Sequence, residues 1–383
     1  MPVEPVDLSS LAAARLARLR ERLAEAPFDA LLVTTPEGVL YATGYRSVAG
    51  QIFAGHAMAA VVTGDEVTLV CPASDTAPAI ESGVPGDRVV PYGRFYFAGE
   101  GAATAMSDRH AGFAEALGVA LAPYRGRRFG VAGAVPDGFD RPAMVDATEW
   151  LSRLRAVKLP AEQGVLHRAA ALAEVGIEAA IAAAAPGVTE RELAAVVAAT
   201  MAAGGGTPRF VVVTAGERSP LADAFPTDRP CRAGDLLRFD VGCVYEGYWS
   251  DIARTAVLGG PTARQAASYQ ALLDGLEAEF AVMRPGATAG EVFRAAVSAV
   301  EAGGVAPYRR HHAGHAIGLS VYERPIVGPD EPTIVEPGMV FCLETPYYEL
   351  GWGGMMVEDT GVVTETGFSL FTGIDRNLRV VPA

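Results

Sequence analysis

Four carboxylates in this chain stand where carboxylates are costly to place. Asp240 lies in LLRFDVG, Asp251 in YWSDIARTAV, Glu344 in MVFCLETP and Glu358 in GGMMVEDTGVV, each among strand-forming apolar neighbours. An ionised carboxylate is almost never buried without a cation or a metal beside it. Arginines such as Arg238 and Arg254 are near enough in sequence to answer for any one acid. Four acids in repeated surroundings are better explained by metal ions. A nitrogen donor is offered by HHAGHAIGL, which gathers His311, His312 and His315 of the chain's six histidines. The spacing of His311 and His315 fits one helical face, but Gly314 and Gly318 favour a tight loop or a strand end. His315 is the imidazole placed to join the acids. Four carboxylates with one imidazole suit two divalent cations: manganese first, with cobalt, iron(II) or zinc as further choices. Two such ions about 3.5–4 Å apart can share an attacking water and polarise a carbonyl together.

The elements that must position these residues show a weak internal repeat. APGVTERELAAVVAA, from Ala185, resembles RPGATAGEVFRAAVSA, from Arg284. Each sets Pro-Gly before a helix that opens on a capping box, Thr189 with Glu192 and Thr288 with Glu291. Each helix is followed by a glycine and then, six residues on, an acid in a strand: Gly234 with Asp240, Gly338 with Glu344. A second acid follows on a later apolar run, Asp251 after Asp240 and Glu358 after Glu344. A duplicated helix–strand–strand unit would draw all four toward a pseudo-two-fold axis.

Upstream the pattern differs. A helix is expected over residues 8–26, with Leu11, Leu16, Leu19 and Leu23 on one face and arginines opposite. Ala30–Val33 reads as a buried strand, Pro36-Glu37-Gly38 as a turn, and residues 66–72 and 127–133 as further strands. That alternation predicts an α/β domain. Long alanine-rich helices take over after the basic cluster of residues 149–165, where Pro160 is placed to open a helix. The division therefore falls at 1–154 and 155–383.

Composition limits the partners. Thirty-one basic residues against 45 acidic ones give a net charge of −14 over 383 residues, which disfavours nucleic acid. Cys71, Cys231, Cys243 and Cys342 have no paired spacing and are expected to be reduced thiols. The N-terminus lacks the apolar core of a signal peptide. The longest apolar stretch, around Ile177–Ala185, is too short and polar to span a bilayer. A cytoplasmic protein without membrane contact is the expectation.

DVGCVYEGYWSDIART, HHAGHAIGLSVYERP, CLETP and MMVEDTGVV together resemble the motifs of the creatinase/prolidase/aminopeptidase P/methionine aminopeptidase family (M24). FDALLVTTPEGVLYATGYRS and LRAVKLPAEQGVLHRAA resemble its prolidase-like branch. The resemblance implies an α/β creatinase-type N-terminal domain followed by an α+β "pita-bread" catalytic domain. It implies that Asp240 chelates one metal, that His315 and Glu344 hold the other, and that Asp251 and Glu358 bridge. Glu344 would also relay a proton, and His311 would lie near the substrate. Two-domain relatives are commonly homodimers whose N-terminal domain edges the partner's site, which makes Tyr41, Tyr45 and Arg46 substrate-side candidates. The chain departs from the branch at three positions. Asp223 and Tyr322 stand where histidines are usual, and Met356 stands where an arginine is common.

The implied function is dinuclear metal-dependent hydrolysis of a small amide C–N bond, as in Xaa-Pro dipeptidases and aminopeptidase P. The altered residues at 223 and 322 raise a second reading, hydrolysis of a non-peptide amide in the manner of creatinase or ectoine hydrolase. A third, a non-catalytic binding protein on this fold, is disfavoured because all five ligand positions are intact.

Overall fold

The computed structural model describes residues 7–95, 110–136 and 144–383. The chain divides into two compact units, Pro5–Arg155 and Ala156–Ala383.

The N-terminal unit runs α1 (Leu8–Leu23), β1 (Ala30–Val33), α2 (Pro36–Thr43), β2 (Ala59–Val62), β3 (Val67–Pro72), α3 (Thr76–Glu81), β4 (Val89–Tyr92), α4 (Phe113–Leu121), β5 (Phe129–Ala132), β6 (Met144–Asp146) and α5 (Thr148–Ala156). Its strands form one mixed sheet in the order β4-β3-β2-β1-β5-β6. Two sequence expectations need correction. The Pro36-Glu37-Gly38 "turn" is the first turn of α2: Thr35 accepts a hydrogen bond from the Gly38 N–H, Pro36 occupies the opening position, and Gly44 closes the helix at φ +76°. Proline is favoured there because its missing N–H is not needed. On α1, Leu11, Leu19 and Leu23 are buried as expected, but Leu16 is only half-buried and Arg15 joins the buried face. The Arg15 guanidinium lies 5.8 Å from the centre of the Tyr41 ring, where its stem packs while its charge meets the ring face.

The C-terminal unit runs α6 (Pro160–Ala183), α7 (Glu190–Ala203), β7 (Thr207–Ala215), β8 (Leu236–Tyr245), β9 (Tyr248–Trp249), β10 (Ile252–Leu258), α8 (Ala263–Val282), α9 (Ala289–Ala302), β11 (Gly314–Ala316), β12 (Glu323–Ile326), β13 (Val340–Glu344), β14 (Tyr347–Glu349), β15 (Gly353–Met355), β16 (Glu358–Val363), β17 (Phe368–Leu370) and β18 (Arg379–Val381). The repeat is realised in detail. Both capping boxes form. Thr189 bridges to Pro230 and Thr288 to Ile334, each partner four residues before its glycine, and Gly234 and Gly338 share φ +88°. The main path of the sheet reads β12-β11-β13-β16-β10-β8-β7. The half β11-β13-β16 is thus answered in reverse by β10-β8-β7, and the pseudo-two-fold axis falls between β16 and β10. Helix pairs α6–α7 and α8–α9 cover the sheet through two cores, one around Ile177, Val197, Phe239 and Ile252, the other around Leu272, Phe293, Phe341 and Val357.

At the axis the ladder pairs Ala253 with Glu358. Side chains alternate along a strand, so the neighbours Arg254 and Asp359 point to the opposite face. There Arg254, fully buried, donates to the Asp359 carboxylate at 2.6 Å, to the Glu358 carbonyl at 2.6 Å and to the carbonyls of Ile374 and Asp375 at 3.2 Å. This arginine fastens the two halves from behind. Replacing it leaves a buried carboxylate and several carbonyls short of a donor. Asp359 keeps Arg376 at 2.6 Å, so Arg254→Met should lower unfolding free energy by about 1–3 kcal/mol, read by urea denaturation.

Candidate metal centre

The ladder brings the predicted residues together in two adjacent rows. Directly opposed residues of an antiparallel pair share a face. Register pairs Glu344 with Glu358, Glu358 with Ala253, and Ala253 with Asp240. One row across β13, β16, β10 and β8 thus presents three acids and a small Ala253 to the same side. Beside it, His315 pairs with Cys342, and Cys342 with Thr360. The Thr360 hydroxyl donates to the carbonyl of Asp251 at 2.7 Å. Asp251, just ahead of β10, ends this second row. Donor atoms of Asp251, His315, Cys342 and Glu358 all lie within 4.8 Å of one another.

Cations inside the protein satisfy only part of this charge. Arg238, buried, reaches Asp240 at 3.1 Å and also holds the carbonyls of Ser219, Leu221 and Ala222, fixing the loop that carries Asp223. Arg254, the other arginine named from sequence, serves Asp359 instead of the four acids. Glu344 Oε1 takes both His312 Nδ1 at 2.8 Å and Arg310 at 3.3 Å. His315 Nε2 lies 3.5 Å from Asp251, while its Nδ1 faces the Ala316 carbonyl at 3.1 Å. With the proton on Nδ1, the Nε2 lone pair is turned toward the acids. Glu358 is 1% exposed, and its Oε2 is buried without a hydrogen-bond partner. An orphaned carboxylate oxygen inside a ring of acids and an imidazole fits a divalent cation.

The electrostatics follow from this geometry. Burial and the nearby Asp251 charge push the Asp240 carboxyl up to about 7 against the pull of Arg238. Burial, then Asp251, Glu344 and Asp240, push Glu358 far above the carboxylate range. Burial also raises Asp251, with His315 opposing. Glu344 goes the other way: burial would raise it, but His312 and Arg310 outweigh that and hold it low. For His315, burial opposes protonation, yet the Asp251 and Glu344 charges leave its pKa raised.

Above these rows opens a cavity of about 690 Å³. Asp240, Asp251, Glu344 and Glu358 lie in its lining, with His311, His312, Arg310, Tyr322, Asp223 and Met356 around them. The substrate-side candidates of this unit, His311, Asp223 and Tyr322, thus meet the acids. The Tyr322 ring stacks on His315 with centroids 3.8 Å apart, and its hydroxyl lies 3.5 Å from His312 Nε2. The candidates of the N-terminal unit fare differently. Tyr41 and Tyr45 are 1% and 2% exposed within that unit, so their side chains are core and not offered to a substrate; Arg46 is exposed. Sequence reasoning missed His312 and Arg310 as partners of Glu344, and Cys342 beside His315. Alternation from Glu344 was the available signal for Cys342, two residues earlier on the same strand.

Buried acids and an imidazole focused on a cavity floor by a duplicated sheet are the makings of a metal-dependent hydrolase. Comparison with known proteins places it more closely. The chain belongs to metallopeptidase family M24, whose model matches residues 165–365, and the creatinase/prolidase N-terminal domain matches residues 15–157. It is similar to the Xaa-Pro dipeptidase of Pyrococcus horikoshii, 28% identical over 361 residues that cover 91% of this chain and 94% of that one. The crystal structure of dipeptidase PepE from Mycobacterium ulcerans superposes with TM-score 0.80 at 29% identity, covering 99% of this chain and 100% of that one. The prolidase from Pyrococcus horikoshii superposes with TM-score 0.78 at 26% identity, covering 95% and 99%. The C-terminal unit accordingly has the pita-bread fold.

A carboxyl raised in the folded chain favours folding while it is protonated and opposes it once ionised. With Asp240 moved from 3.8 to about 7, the metal-free protein should lose stability as pH rises through that window. Thermal melts of chelator-treated protein should show this fall, and Asp240→Asn should flatten it. Added manganese should raise Tm more above pH about 7 than near pH 5, because protons compete with the metal for the same oxygens.

Proposed function

We propose that this protein is a dinuclear metal-dependent Xaa-Pro dipeptidase. The observation that carries the reading is the pair of adjacent rows that turn Asp240, Glu344 and Glu358, and Asp251 with His315, to one face, with a Glu358 oxygen left unpartnered. In this reading Asp240 would hold one ion, His315 and Glu344 would hold the other, and Asp251 and Glu358 would serve both. When bound, the ions supply Lewis-acid polarisation of the scissile carbonyl and activation of the attacking water.

The chain's own residues do the rest. His312 and Arg310 both engage Oε1 of Glu344, which fixes the carboxylate and leaves Oε2 to accept the water's proton and pass it to the departing nitrogen. The amide C–N bond breaks as a C–O bond forms, and the proton ends on the leaving amine. Burial, with the charges of His312 and Arg310, lowers His311, so at neutral pH it is a neutral hydrogen-bond donor. Burial and the surrounding acids hold Tyr322 well above the usual phenol range, so it too stays protonated. Both are placed to donate to the oxygen that gathers charge in the tetrahedral intermediate. Phe210, Val211, Val212 and Met356 give the cavity an apolar wall suited to a proline ring.

Elemental analysis of manganese-loaded protein should find two ions per chain. Asp251→Asn and Glu358→Gln should each disturb both sites, whereas Asp240→Ala should retain about one ion, with kcat down by about 10²-fold or more in each case. The loaded wild type should be assayed on Xaa-Pro dipeptides, longer Xaa-Pro peptides and small non-peptide amides. Dipeptides are expected to turn over fastest, and a clear preference for non-peptide amides would overturn the assignment.

A further inference from the structure

Among the described residues all four cysteines are buried, and a buried thiol by itself is only a small apolar side chain. Cys342 differs from the other three in its surroundings. It sits between His315 and Thr360 in the second row, two residues before Glu344 on the same face of β13. Its sulfur is 3.2 Å from the Thr360 hydroxyl and 3.7 Å from the Asp251 carbonyl. Together with Asp251, His315 and Glu358 it completes a group of four buried donors within 4.8 Å of one another. Within this group Glu358 Oε2 is buried and has no hydrogen-bond partner, so the four donors do not satisfy one another. By contrast, the Cys243 sulfur faces the Ala169 carbonyl and the Ser250 hydroxyl, away from any such cluster.

We infer that the two ion positions proposed above differ in kind, with Cys342 giving the one at His315 a sulfur donor. This inference rests on the dinuclear reading. One nitrogen and one sulfur beside the oxygens of Asp251, Glu344 and Glu358 form a mixed donor set suited to zinc, cobalt(II) or cadmium. The neighbouring position draws on Asp240, Asp251 and Glu358, oxygens alone, which suit manganese. The centre is therefore built for two unlike metals, a thiophilic one beside a hard one. On binding, the Cys342 S–H bond breaks, sulfur gives its electron pair to the cation, and the proton leaves to solvent.

The test uses the full chain, stripped with a chelator and titrated with cobalt(II) alone. A near-ultraviolet sulfur-to-cobalt charge-transfer band should grow and saturate at one equivalent per chain. Cys342→Ser should lose that band while still binding cobalt, and Cys243→Ser should keep it. Loaded with one equivalent of zinc against excess manganese, the wild type should hold one of each, and Cys342→Ser should lose zinc preference by about tenfold or more. X-ray absorption at the zinc edge of the wild type, which needs no variant, should find one sulfur among the donors. Two ions bound with no sulfur in either coordination sphere, or a band that survives Cys342→Ser, would overturn the inference and leave the hydrolase reading intact. Failure to bind any divalent ion would overturn both.

Discussion

Holding Asp240, Asp251, Glu344 and Glu358 on one face of one sheet costs free energy that apolar packing cannot return. Like charges at these separations raise one another's pKa, and burial adds to the effect, as Asp240 and Glu358 show. Much of the surrounding architecture opposes that repulsion. Arg238 neutralises part of Asp240, and Arg310 part of Glu344, whose same oxygen also meets His312. Arg254 and Asp359 tie the two central strands from the far side, where no ion is involved. Glu358, at the middle, is left without a protein cation. The fold leaves an unpartnered carboxylate oxygen where two ions would share it.

The duplicated unit explains how so unfavourable a cluster forms reliably. Each half needs to deliver only two acids, and each does so with the same devices: a capped helix, a bridge four residues before a glycine in the left-handed region, and a strand that carries its acid to the axis. Because β16 and β10 are the inner strands of their halves, pairing them brings the acids together without either half holding more than two. Imperfect symmetry does the chemical sorting. The second half contributes His315, Cys342 and the His312–Arg310 pair, and the first contributes Arg238 and the loop at Asp223.

Much of this was legible in the sequence, and the limit has a physical cause. Apolar flanks marked the acids as buried, and the shared caps and glycine offsets marked the repeat; both are local features that survive reading one residue at a time. Cross-strand register is not local. It decides that Cys342 meets His315 and Thr360, and that Ala253 lies between Glu358 and Asp240. The same limit applied to helices. Arg15 fell outside the apolar face of α1 by pattern, but Tyr41 supplies a ring for its guanidinium and makes its burial tolerable. Tyr41 and Tyr45 were substrate-side candidates because the N-terminal domain of two-domain relatives edges the partner's site, yet the core of their own unit claims both.

The substitution of tyrosine at position 322 can be understood from the same balance. A histidine so close to His315 would add an imidazole lone pair beside the proposed ions and could compete with His315 for them. Tyr322 instead lays its ring on His315 at 24° to the imidazole plane, covering that ligand with an apolar surface, and turns its hydroxyl toward His312. Burial and the surrounding acids keep the phenol protonated, so it donates a hydrogen bond without joining the metal donors. Asp223 adds a carboxylate to the lining of the same cavity, which also holds Arg310 and His311. The lining therefore carries charges of both signs, as the proposed dipeptide, with a free amine at one end and a carboxylate at the other, requires.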